Sequence, residues 1–126
     1  MSTTLLLIED SEAEREGVAA LLRVCGFEVM SASSADEGIG LADQHTPDLI
    51  LLDMMMRSGS DGWKFLERRR MYGKLQTVPI VIMTGLQVAS EVWAKALGAD
   101  GLLRKPVNVD EMLKTIRDHL AAHPAP

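Results

Sequence analysis

Hydrophobic and polar positions along this chain repeat one pattern: a short apolar run, a stretch with apolar residues on one helical face, then a polar break. Thr4 to Glu9 is apolar until it ends in acids. Ser11 opens the first helical stretch with Glu14 three residues on, the spacing of a capping box; Val18, Leu21, Leu22 and Cys25 share one face, and Gly26 is the stop. Cys25 is expected in the core. Glu28 to Ala32 reads as a strand, Ser34 with Glu37 as a second capping box for a helix to about Gln44, and Leu49 to Asp53 as a continuously apolar strand. Gly62 to Tyr72 reads as a helix with Trp63 turned to the core, and Pro79 to Thr84 as a fourth strand. A helix ending at Leu97 before Gly98, a short strand from Gly101 to Arg104 and a last helix capped by Asn108 with Glu111 complete the series. In that last helix Met112, Leu113, Ile116 and Leu120 face inward.

Strands buried on both sides read as unbroken apolar runs, so this alternation predicts a parallel sheet covered by helices on both faces. The fold class is α/β, a doubly wound five-stranded parallel sheet with five helices and the common strand order 2-1-3-4-5. That order puts the topological switch between strands one and three, with a binding crevice at their C-terminal ends. Glu9, Asp10 and Asp53 stand there.

At 126 residues, 47% of them apolar and 25% charged, the chain suits one globular domain, expected over 1–121, with 122–126 as a tail or the start of a linker. The longest apolar run near the start, Leu5 to Ile8, is too short for a secretory segment or a membrane span, and the single cysteine excludes an internal disulfide. A cytoplasmic location and no membrane association are expected. The net charge of -5 repels nucleic acid, so no direct nucleic-acid binding by this segment is expected. Arg68, Arg69 and Arg70 point about 100° apart on a helix and form no single stripe, which reads as a solvated face.

Carboxylates converging on one crevice repel unless a cation or proton intervenes. Mg²⁺, with Mn²⁺ as a substitute, favours one or two carboxylates, waters and phosphate oxygens over a full protein cage. Asp10, Asp53 and a main-chain carbonyl near Met55 make such a half-open set, with Glu9 reaching through water. Thr84 ends the fourth strand and Lys105 follows the fifth, on the same crevice edge. A metal, an ammonium and a hydroxyl around one carboxylate cradle a tetrahedral anion attached to it, which makes Asp53 the candidate nucleophile, forming an acyl phosphate. Read singly, a strand-terminal Asp is a helix cap, Thr84 a turn residue and Lys105 a solvated charge; their joint placement is what points to chemistry.

Five motifs spanning Leu5 to about Leu120 carry a resemblance: Ile8-Glu9-Asp10, Pro47 through Asp53, Asp61-Gly62, Pro79 through Thr84, and Gly98-Ala99-Asp100-Gly101 followed by Lys105-Pro106. Together they resemble the receiver domains of two-component response regulators. The resemblance implies a flavodoxin-like fold of receiver type and a phosphoryl group passed to Asp53 from a phosphohistidine of a sensor histidine kinase or phosphotransfer protein. It also implies Mg²⁺ on Asp10 and Asp53, Lys105 paired with phosphoryl oxygens, and a cis Lys105-Pro106 peptide. Such a protein is a signalling module that assists its own phosphotransfer and dephosphorylation without turning over an external substrate.

Several positions depart from the family pattern. Leu102 stands three before the lysine, where receivers usually carry an aromatic switch residue, and the loop after Asp53 is one residue longer and has Arg57 in place of proline. Arg57 to Ser60 is expected to be mobile, with Arg57 a candidate contact for a partner or the phosphoryl group. Met55 and Leu86 flank the crevice, and their apolar bulk implies a long-lived phosphoaspartate. Trp93, on helix four, is either an anchor for a downstream partner or a core residue. These departures leave a second reading open, a degenerate receiver serving as a constitutive interaction scaffold. A phosphoaspartyl hydrolase is disfavoured because Met55 stands where such enzymes place a second Asp, and a flavin-binding domain because acids replace its phosphate loop.

Overall fold

The structure is a computed structural model describing residues 2–57, 59 and 61–123. Its strands are β1 (Thr4–Ile8), β2 (Glu28–Ala32), β3 (Leu49–Asp53), β4 (Ile80–Thr84) and β5 (Gly101–Arg104). Its α-helices are α1 (Glu12–Val24), α2 (Ala35–Gln44), α3 (Asp61–Arg69), α4 (Glu91–Ala96) and α5 (Val109–Ala122). The five strands form one parallel sheet in the order β2-β1-β3-β4-β5. Successive strand residues point to opposite faces, so each strand feeds two cores. Leu6, Ile8, Ile50, Leu52, Ile80 and Ile82 pack with Ile39 of α2 and Phe65 of α3. Leu5, Leu7, Leu49, Leu51, Val81 and Met83 pack with Leu22 of α1 and Ile116 of α5.

The expected N-caps are present: the hydroxyls of Ser11 and Ser34 accept from the Glu14 and Glu37 amides, and Asn108 Oδ1 accepts from the Glu111 amide. Ser90 caps α4 in the same way, accepting from the Trp93 amide at 3.1 Å. Gly26 and Gly98 adopt positive φ just after their helices, the conformation that glycine takes without Cβ strain.

Helix α3 runs from Asp61 to Arg69, shorter than the expected Gly62 to Tyr72, and a 3₁₀ turn at Gly73–Leu75 follows. Arg69 accounts for this chain reversal. Its guanidinium donates to the carbonyls of Leu75 (3.0 Å), Val78 (2.8 Å), Gln76 (3.2 Å) and Gly98 (3.1 Å), satisfying loop acceptors that have no ladder partner. The arginine run is therefore not a uniformly solvated face: Arg68 pairs with Asp36 of α2, and Arg69 is half-buried. Trp63 is likewise not in the core. It is 44% exposed and stands edge-on to Trp93, ring centroids 6.1 Å apart. Trp93 is half-buried and packs against the core, and Cys25 is half-buried at the end of α1.

Helix α5 continues through Ala122, with His123 as its cap, so the expected tail begins helically. Residues 124–126, and Ser58 and Ser60 of the loop expected to be mobile, lie outside the described residues.

Candidate functional site: an acidic crevice at the sheet edge

The central strands β1 and β3 pair in parallel, Ile8 beside Leu52, and this register carries Glu9-Asp10 and Asp53 to the same edge. Glycine at 62 lets α3 start close against β3: a Cβ there would meet Met54 Sδ at 2.6 Å and the Asp53 carbonyl at 3.1 Å. Asp53 is thereby enclosed at the sheet end and is 1% exposed.

Two donors fix Asp53. The Met55 amide donates to Oδ1 at 2.9 Å, and the Lys105 ammonium lies 3.2 Å from the same oxygen. Lys105 also reaches Glu9 Oε1 at 3.2 Å and Glu14 Oε2 at 3.1 Å, so one ammonium bridges three carboxylates. The cis Lys105-Pro106 peptide follows directly, as expected.

Glu9 is buried, 3% exposed, and its Oε2 has no hydrogen-bond partner. Burial, contact with the Asp53 and Glu14 carboxyls and the Asp53 charge push its pKa up to about 9, against the opposing pull of Lys105. Glu14 is held below the usual carboxylate range by its bonds to Glu9 and Lys105. Burial works to lower Lys105, but the charges of Asp53 and Glu9 and the bond to Glu14 outweigh it and keep the ammonium protonated above the usual lysine range.

Asp10 is positioned by a contact that sequence reasoning missed: the Arg57 amide donates to its Oδ2 at 2.6 Å. The lengthened loop thus serves the site through its backbone, while the Arg57 side chain is exposed. Glu9, Asp10 and Asp53 each bring a carboxylate oxygen within 4.8 Å of the others. A buried, unpartnered carboxylate oxygen inside such a group is a donor set that fits a hard divalent cation.

Thr84 is fully buried at the end of β4, and its hydroxyl accepts from the Leu86 amide at 3.1 Å. The next loop is tied on both sides. The Gly85 amide points at Met55 Sδ, 3.2 Å away, and Arg104, paired with Thr84 in the sheet, donates to the carbonyls of Leu86, Gln87 and Ala89. Met55 and Leu86 are partly exposed at the crevice mouth, as their flanking positions suggested. Leu102 is half-buried against the core. Glu9, Asp10, Asp53 and Lys105 come together at this edge, with Thr84 at the neighbouring end of β4, whereas Leu102 and Trp93 pack against the core. Glu14, seen in the sequence only as a helix cap, and Arg104 were missed, because long side chains reach sites that periodicity does not report.

This is the edge at which an open α/β sheet offers a site for an anionic group, and the comparisons with known proteins name the class. A family model described as the response regulator receiver domain matches residues 5–117, and the chain belongs to that family of two-component signalling domains. Protein PilH of Pseudomonas aeruginosa is 33% identical over 118 residues, covering 93% of this chain and 97% of PilH. The phosphate regulon transcriptional regulatory protein PhoB of Escherichia coli is 30% identical, covering 93% of this chain but 51% of PhoB, so the chain spans about half of that relative. The crystal structure of the chemotaxis protein CheY4 of Vibrio cholerae is similar with a TM-score of 0.84 and 30% identity, covering 94% of this chain and 98% of CheY4. Among the described residues no helix is long and apolar enough to cross a membrane.

Proposed function

We propose that Asp53 is the phosphoacceptor of this receiver, taking its phosphoryl group from a phosphohistidine of a sensor histidine kinase or phosphotransfer protein. The observation that carries this is the enclosed Asp53 carboxylate, held by the Met55 amide and the Lys105 ammonium beside the partnerless oxygen of Glu9. In the transfer, an Asp53 oxygen forms the P–O bond as the donor's P–N bond breaks, and the released imidazole keeps the electron pair. Lys105 neutralises charge on the transferring oxygens, and Thr84 offers a hydroxyl to one of them. Asp10, Asp53 and the Met55 main-chain carbonyl would hold Mg²⁺, with Mn²⁺ as substitute and Glu9 through water. The bound cation supplies neutralisation of the phosphoryl charge. The protein acts as a cytoplasmic signalling module of residues 1–121, assisting its own phosphorylation and dephosphorylation.

Intact mass after incubation with acetyl phosphate and Mg²⁺ tests this: the parent gains one phosphoryl mass and Asp53→Asn gains none. After removal of the donor, the apolar flank of Met55 and Leu86 hinders attacking water, so the adduct persists well beyond seconds at neutral pH. Leu102 supports a second reading, a constitutive scaffold whose downstream contact uses α4 and Trp93; no phosphoryl gain under any condition favours it.

A further inference from the structure

The capping pattern that opens α1 is only half used. Ser11 Oγ accepts from the Glu14 amide, but the Glu14 carboxylate does not return to the cap as a capping box requires. In α2 Glu37 does turn back, to the amide of Ser33 just before the Ser34 cap, at 2.8 Å. Glu14 instead extends to Lys105, 3.1 Å away, from a half-exposed position on the first turn of α1.

An ammonium has three donor hydrogens. Lys105 hydrogen-bonds Glu9 and Glu14 and pairs with Asp53, so a phosphoryl oxygen arriving at Asp53 competes with these carboxylates for the ammonium. Glu9 and Asp53 are buried and belong to the group suited to a cation, whereas the Glu14 side chain is 58% exposed and stands outside that group. Glu14 is the partner that gives way at least cost, because water can replace Lys105 around it. Until it does, it holds the ammonium toward α1 and adds a negative charge that an anionic donor must approach.

We propose that Glu14 is a positioning residue of this site, a tether on Lys105 that competes with the phosphoryl group for the ammonium. The proposal rests on Asp53 as phosphoacceptor, but the tether itself can be read without phosphate or metal. Glu9, Glu14 and Lys105 line a cavity of about 640 Å³ beside α1, so small reagents reach the ammonium from that side.

The experiment compares the parent with Glu14→Gln and Glu14→Asp. In chelator-treated protein, acylation of Lys105 by an amine-reactive ester, read by peptide mass, rises about threefold or more in Glu14→Gln, with Glu14→Asp between the two. With saturating Mg²⁺ and acetyl phosphate, Glu14→Gln gains phosphoryl mass about threefold or more faster at low ionic strength, and the advantage shrinks as salt screens the charge. Unchanged Lys105 reactivity, or phosphorylation equal to or slower than the parent at low salt, overturns the proposal. If neither protein gains phosphate, the Asp53 reading fails instead, and the acylation arm alone decides whether Glu14 tethers Lys105.

Discussion

At the scale of single residues, the crevice puts its largest electrostatic tension on Glu9. A group whose pKa is raised on folding holds its proton longer in the folded chain than in the unfolded one, so stability falls as pH rises between the two values. For Glu9 that window runs from its ordinary 4.5 to about 9. In chelator-treated protein, urea midpoints should therefore decline between about pH 5 and about pH 8. Glu9→Gln, which has no proton to lose there, should lose less stability over the same range, by on the order of 1–3 kcal/mol given partial relief from Lys105. Adding Mg²⁺ should release protons near neutral pH and flatten the decline in the parent, since a cation stabilises the ionised carboxylate. Parallel pH profiles for the two proteins would show that Glu9 ionises freely in the fold.

At the scale of elements, the loop between β4 and α4 is held differently from the strand that delivers Thr84. Few of its backbone groups bond within the loop, Ala89 to Leu86 being one, and α4 behind it is only 6 residues long. Arg104 supplies what the backbone lacks, its guanidinium bonding three carbonyls from the neighbouring strand end. Replacing it leaves those acceptors to water and costs the loop its brace. Arg104→Ala should raise amide exchange from Gly85 to Ala89 about tenfold or more while the β1 and β3 amides keep their protection, read by exchange mass spectrometry. Arg104→Lys, a point donor without the planar fork, should recover only part of the protection. Exchange in the loop matching the parent would mean that Thr84 and Met55 alone hold it.

At the scale of the whole molecule, two cores on either side of one sheet position the site, and α2 seats against its face with little clearance. A Cβ on Gly38 would meet Ile8 Cδ1 at 2.7 Å and Phe65 Cε1 at 3.3 Å. Gly38→Ala should therefore destabilise the protein by about 1–3 kcal/mol in denaturant melts, since the overpacking outweighs the usual helical gain from alanine. A stabilised variant would show that Ile8 and α2 yield readily.

Much of this architecture was legible from the chain alone. Buried parallel strands leave continuous apolar runs, caps and glycine stops mark helix ends, and the strand order follows from the doubly wound rule, so Glu9, Asp10, Asp53, Thr84 and Lys105 could be assigned to one edge. Local pattern was a poorer guide to side chains with more than one place to go. Trp63 meets Trp93 at the surface rather than entering the core; Arg69 turns inward to loop carbonyls; Glu14 leaves its cap for Lys105; and the Arg57 backbone, not its charge, serves Asp10. Periodicity reports which face of an element is buried. Which distant group a long side chain or a loop amide finds depends on distances that exist only once the sheet and its helices are assembled.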